Sequence, residues 1–93
     1  MRLEKHLEKK ICDKAKKLGF LEKKFEAEKG DPDRIFFNKE GKVFFIEFKS
    51  AKGKLSKLQE KKIKELIEYK QDVFVVNSEE LGLEILTNFM INK

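Results

Sequence analysis

The sequence contains a single cysteine, Cys12, so no disulfide can close within the chain, and such sparing use suits a reducing compartment. Tryptophan is absent, and no apolar run exceeds four residues, a length first reached at residues 43–46. A membrane-spanning helix needs about 20 apolar residues and a signal peptide a core of at least about seven. Neither pattern occurs, and the expectation is an intracellular, cytoplasmic protein. Arginine is scarce too: Arg2 and Arg34 are the only two among 22 basic residues. Repeats and low-complexity tracts are missing, and apolar residues recur regularly, which excludes a disordered chain.

Nine phenylalanines and an apolar fraction of 40% stand against those absences. Ninety-three residues can bury one core but not two, so residues 1–93 are expected to form one domain. Charged residues make up 42% of the chain with the signs mixed, which implies a well-solvated exterior. The net charge of +5 favours polyanions through phosphate neutralisation and counterion release. Charge alone is a weak guide, because Lys/Glu-rich composition also follows from genome bias or from adaptation to high temperature.

Taken in order, residues 2–18 predict a helix. Leu3, Leu7, Ile11, Ala15 and Leu18 form one stripe at 3.6 residues per turn, and Gly19 follows where helices often end. Glu4 falls inside that stripe and Glu8 on its edge, a costly arrangement unless a cation meets the carboxylate. The helical setting of Cys12 suits a small, partly buried side chain rather than a nucleophile. Residues 20–28 predict a strand with Leu21, Lys23, Phe25 and Ala27 on one face, and the turn KGDP follows. Residues 33–38 and 42–49 predict a hairpin turning at Glu40 and Gly41. Residues 55–70 predict a second helix with Leu55, Leu58, Ile63, Leu66 and Ile67 on its buried side and Gln59 close to the centre of that stripe. Residues 72–77 predict a strand buried on both faces, and Ser78 caps a last helix carrying Leu81, Ile85 and Leu86. Phe89, Met90 and Ile91 are expected to pack on the sheet or on a second subunit.

The informative stretch is residues 30–59. Asp33 follows Pro32, and Glu47, Phe48 and Lys49 end an apolar strand fourteen positions later. The strand period of two puts Asp33, Ile35 and Phe37 on one face, and Val43, Phe45, Glu47 and Lys49 on one face. A register that aligns these faces brings Asp33 beside Glu47 and Lys49. Two carboxylates so placed are what a divalent cation needs beside a phosphate. Mg²⁺ prefers octahedral oxygen and keeps several waters, so Asp33, Glu47 and the backbone carbonyl of Phe48 would suffice. Lys49 would orient the attacking water or stabilise the phosphorane. An ordinary cross-strand salt bridge is the competing explanation, and E-x-K alone is common in so charged a chain. Gln59, a polar interruption on the following helix, adds context.

The runs GDPDR, IEFKS and GKLSKLQ resemble the PD-(D/E)XK nuclease superfamily and, more closely, its small stand-alone VRR-NUC proteins of phages and bacteria, relatives of archaeal Holliday junction resolvases. The resemblance implies an α/β, restriction-endonuclease-like αβββαβ core over residues 2–77, with a mixed central sheet flanked by helices, plus a C-terminal helix. It puts the family's metal-binding aspartate on Asp33, its glutamate on Glu47, its lysine on Lys49 and its glutamine on Gln59. The first-helix glutamate falls on Glu8 rather than Glu4, with a second metal position as its role. Asp31 departs from the pattern, as a spare ligand or a turn residue. The implied activity is Mg²⁺-dependent DNA cleavage, with Mn²⁺ able to substitute, leaving 5′-phosphate and 3′-hydroxyl ends. A homodimer acting on branched, Holliday-junction-like DNA is implied as well. Lys52, Lys54, Lys57, Lys61 and Lys62 would bind flanking phosphates. Two rival readings are a silent DNA-binding module and an accessory nuclease subunit of a helicase or methylase complex.

Overall fold

Alternation in VFFIEF makes the third strand, β3 (Val43–Phe48), the spine of the molecule: Phe44, Ile46 and Phe48 face one way, Phe45 and Glu47 the other. The structure is a computed structural model that describes residues 2–90, with side chains from Glu4 to Met90. Before β3 come α1 (Arg2–Lys17), β1 (Leu21–Lys24) and β2 (Arg34–Phe37). After it come α2 (Lys57–Glu68), β4 (Asp72–Val76) and α3 (Glu79–Phe89). The sheet order is β1-β2-β3-β4, antiparallel except for the parallel β3–β4 pair. The expected α/β architecture, a mixed sheet flanked by helices with a C-terminal helix, is what forms. Among the described residues no helix is long and apolar enough to cross a membrane.

The core lies on the Phe44 face, under α1 and α3. Ile11, Ala15, Phe36, Phe44, Ile46, Phe48, Val76 and Leu86 are fully buried there. Phe44 stacks on Phe36 at 4.9 Å and on Phe89 at 4.3 Å between ring centroids, and Phe20 meets it edge-on at 5.8 Å. Such pairs add about 0.5–1.5 kcal/mol each beyond their buried area. Phe89 and Met90 thus pack on the sheet side of the molecule, whereas Ile91 and the side chain of Leu3 lie outside the described residues. The helices α1 and α3 approach closely at Gly82, where an added Cβ would sit 2.5 Å from Ile11 Cδ1.

Several expected boundaries move. β1 stops at Lys24 rather than running to residue 28, because a turn begins where Asp31 N–H bonds to the Glu28 carbonyl and Gly30 takes φ +92°. α2 begins at Lys57 because Ser56 caps it, its hydroxyl accepting from the Gln59 N–H. The side of α2 expected to be buried is only partly covered: Leu55, Ile63 and Leu66 are half-buried, whereas Leu58 and Ile67 are 38% and 53% exposed. Its sheet partner is β4, which sits at the edge and is too narrow to cover a helical face. For the same reason β4 is not buried on both faces; Val76 is buried, but Val75 is exposed.

Candidate metal centre

Proline decides how the β2–β3 ladder ends. Arg34 pairs with Ile46, Phe36 with Phe44, and Asn38 N–H bonds to the Lys42 carbonyl at 3.0 Å. The next hydrogen-bonded pair in that series would be Pro32 with Phe48. Proline has no N–H to give the Phe48 carbonyl. The Phe48 N–H donates to the Asp33 carboxylate, reaching Oδ2 at 2.8 Å. Asp33 is therefore fixed at the end of β3 by a backbone bond, and the Phe48 carbonyl lacks its ladder donor.

Continuing the register by one residue sets Asp33 opposite Glu47, on the other side of the strands from Arg34 and Ile46. Glu47 is 3% exposed and is the only buried charged residue among those described. Its Oε2 accepts from Gln59 Nε2 at 2.9 Å and lies 3.8 Å from Lys49 Nζ. Gln59 is held at its other end, where Oε1 accepts the Ser56 N–H at 2.8 Å and completes a capping box. The interruption of α2's stripe is thus a hydrogen bond to Glu47 made by the residue that closes the helix cap.

Carboxylates outnumber cations around the site. Burial pushes Glu47 up to about 7, with the charge of Asp33 adding to the rise and Lys49 opposing it. Burial likewise raises Asp33 to about 6, against the pull of the Phe48 N–H and with Glu26 and Glu8 adding to the rise. A cavity of about 260 Å³ opens beside Asp33, lined by Glu4, Lys5, Glu8, Lys24 and Glu26. Among the described residues no three carboxylate, histidine or cysteine side chains form a cage for an ion. Mg²⁺ needs no such cage: two carboxylates and a free carbonyl, with waters completing the shell, match its hard-oxygen preference. Asp33, Glu47 and the Phe48 carbonyl fit that donor set.

Glu8 stands at the cavity but is engaged elsewhere. Arg34 Nε donates to its Oε2 at 2.7 Å, and Arg34 Nη1 reaches Glu22 Oε1 at 2.8 Å. The cation that an edge carboxylate on α1 requires is therefore Arg34. Sequence reasoning missed that partner, although a strand's alternation sends the residue after Asp33 to the α1 face. It also missed Glu26, whose position in the turn after β1 carries no periodic signal. Asp31 Oδ2 accepts the Glu28 N–H at 2.8 Å, so Asp31 serves the turn. Lys62 pairs with Glu28. Lys52 and Lys54 are exposed in the connection after β3, while Lys57 and Lys61 lie about 160° around α2 from Gln59 at 100° per residue. Cys12 is buried among core residues and pushed up to about 12 by that burial, an inert thiol.

A family model for the VRR-NUC domain matches residues 2–80. The chain belongs to the VRR-NUC family. A solved structure described as a VRR_NUC domain superposes on it with a TM-score of 0.82 at 22% identity, covering 94% of this chain and 97% of the other. At that identity the superposition speaks for the fold. No curated protein matches the chain significantly. Membership makes this VRR-NUC chain a nuclease-type DNA-processing domain, and nuclease domains of this type generally use a divalent metal.

Proposed function

We propose that this VRR-NUC domain is an Mg²⁺-dependent endodeoxyribonuclease, with Mn²⁺ able to substitute, that cuts branched, Holliday-junction-like DNA as a homodimer. The observation carrying the reading is the facing of Asp33 and Glu47 across the end of the β2–β3 ladder, with Lys49 3.8 Å from Glu47. Asp33, Glu47 and the Phe48 carbonyl would hold the ion, which when bound supplies Lewis acidity and neutralises charge at the phosphate.

The chain's own residues do the rest. Gln59 keeps Glu47 in one rotamer, and the Phe48 N–H keeps Asp33 in its own. The Lys49 side chain is 16% exposed, and its ammonium would orient a water for attack on phosphorus and meet negative charge building on the phosphoryl oxygens. Breakage of the P–O3′ bond leaves a 5′-phosphate and a 3′-hydroxyl. Lys52 and Lys54 lie nearest in the chain to the site and suit flanking phosphates; Lys57 and Lys61, on the far side of α2, suit backbone further away.

Support for a homodimer comes from exposed apolar side chains at the C-terminal end of α2 and on the edge strand: Ile67, Tyr69 just after the helix, and Val75 of β4. A second copy would cover such a face. The test is a panel of four-way junction, flap, single-stranded and linear duplex DNA with Mg²⁺, Mn²⁺ or EDTA, alongside sedimentation of the protein. Preferential, metal-dependent cutting of the junction by a dimer is expected. Equal cutting of all substrates, or a monomer at assay concentration, would remove the junction and dimer elements. Failure to cut any substrate would leave the silent DNA-binding reading.

A further inference from the structure

A groove of about 430 Å³ lies between α1 and β1 and shares Lys5, Glu8 and Lys24 with the cavity beside Asp33. Each carboxylate lining it is met by a cation: Glu8 by Arg34 at 2.7 Å, Asp13 by Lys9 at 3.0 Å and Glu22 by Lys16 at 3.3 Å. Lys5 and Lys24 remain, exposed and without an ion pair among the described residues. The surplus of positive charge in the groove therefore falls on the two lysines that it shares with the centre. Helix geometry continues the line. At 100° per residue Lys5, Lys9 and Lys16 lie within about 40° of one another on α1, and they span about 16 Å at 1.5 Å per residue.

We propose that this groove binds the sugar-phosphate backbone of the DNA strand that enters the centre, with Lys5 and Lys24 holding the phosphate next to the one at Asp33 and Glu47. Glu4, Glu8, Glu26 and Asp33 line the neighbouring cavity, and the cations that line it with them are Lys5 and Lys24. A phosphodiester approaching those carboxylates is repelled. Two ammonium groups at the rim offset that repulsion along the strand's path and take phosphate oxygens without reading base sequence. Lys9 extends the track, because its exposed pair with Asp13 is weak enough to be traded for a phosphate. These contacts come from α1 and β1, apart from those of Lys52 and Lys54 in the connection after β3.

The groove deepens the nuclease reading and rests on it for where the strand leads; binding measured in EDTA keeps the two separable. Fluorescence anisotropy of a labelled four-way junction over a salt series compares wild type with two double variants. One is Lys5→Ala/Lys24→Ala; the other is Lys39→Ala/Lys42→Ala, a charge-matched pair at the far end of the β2–β3 hairpin. Circular dichroism checks folding, and Lys5→Gln/Lys24→Gln replaces the alanine pair should that fail to fold. The groove pair is expected to bind at least about tenfold more weakly and to lower the slope of log affinity against log salt by about two, with the control pair within about twofold of wild type. Junctions carrying single neutral methylphosphonates in place of successive phosphates locate the contact. A substitution next to the cleavage position is expected to weaken wild type and leave the groove pair unchanged. Absence of binding by wild type, equal loss in both pairs, or a groove pair as sensitive as wild type to every methylphosphonate would overturn the groove. Binding as expected by a wild type that cuts nothing with Mg²⁺ would remove the nuclease reading and leave the groove as a backbone-binding site.

Discussion

The Gln59 amide joins Glu47 to the N-terminus of α2: its nitrogen donates to the Glu47 carboxylate at 2.9 Å and its oxygen accepts the Ser56 N–H at 2.8 Å. A leucine would suit the stripe of α2 and lose both bonds. Gln59→Leu is expected to slow cleavage about tenfold, the equivalent of ~1.4 kcal/mol in the barrier. Its cost to folding is about 0.5–1.5 kcal/mol, because Ser56 still caps the helix. Single-turnover cleavage and urea melts read the two effects separately, and an unchanged rate would reduce Gln59 to a helix cap.

A pH dependence of stability follows from the two raised carboxyls. In the metal-free protein Asp33 titrates near about 6 and Glu47 near about 7, both above their ordinary values. The folded state therefore binds more protons than the unfolded state between the two sets of values. Their contribution to stability is fully present below about pH 4 and is lost as pH rises through about 6 and then about 7. Glu47→Gln removes one of the groups and is expected to flatten the fall of the melting temperature over pH 5–8 in EDTA. Divalent-ion binding runs the other way, weakening as pH drops below about 7. Parallel melting curves for wild type and Glu47→Gln would contradict the first statement, and ion binding independent of pH over 5–8 the second.

Gly30 is constrained twice. Its φ is +92°, and a Cβ there would lie 2.7 Å from Leu58 Cγ, whereas Gly41 at φ +88° has open space around it. Alanine at Gly41 carries only the backbone cost of about 1–2 kcal/mol. Alanine at Gly30 adds a clash with α2, for about 2–4 kcal/mol altogether. Chemical denaturation of both variants is the measurement, and equal losses would show that Leu58 yields freely.

The connection after β3 sets the salt response. Replacing Lys52 and Lys54 together by alanine is expected to lower the slope of log affinity against log salt by about two, with weakening similar across DNA sequences. Lys62, held by Glu28, should contribute less when replaced. Fluorescence anisotropy over a salt series reads both.

Legibility in the sequence followed the strength of local constraint. The facing of Asp33 and Glu47 could be read because a strand has a period of two and the hairpin between them is short. Gln59 stood out as a polar residue on an apolar stripe. Arg34 was hidden because its partner Glu8 is 26 residues away on another element, beyond the reach of any periodicity. The apolar stripe of α2 was readable as a stripe but not as partly exposed, since exposure depends on β4 lying at the sheet edge. The early end of β1 came from a turn stabilised by Asp31, a contact that spacing does not announce.

Most direct of all is cleavage of a labelled four-way junction by wild type and Glu47→Ala, with Mg²⁺ and with EDTA, both proteins checked for folding. The expected result is cutting by wild type with Mg²⁺, none with EDTA, and a loss of at least about a thousandfold in Glu47→Ala. Cutting that persists in EDTA, or that survives Glu47→Ala, would contradict a metal-dependent centre at Asp33 and Glu47.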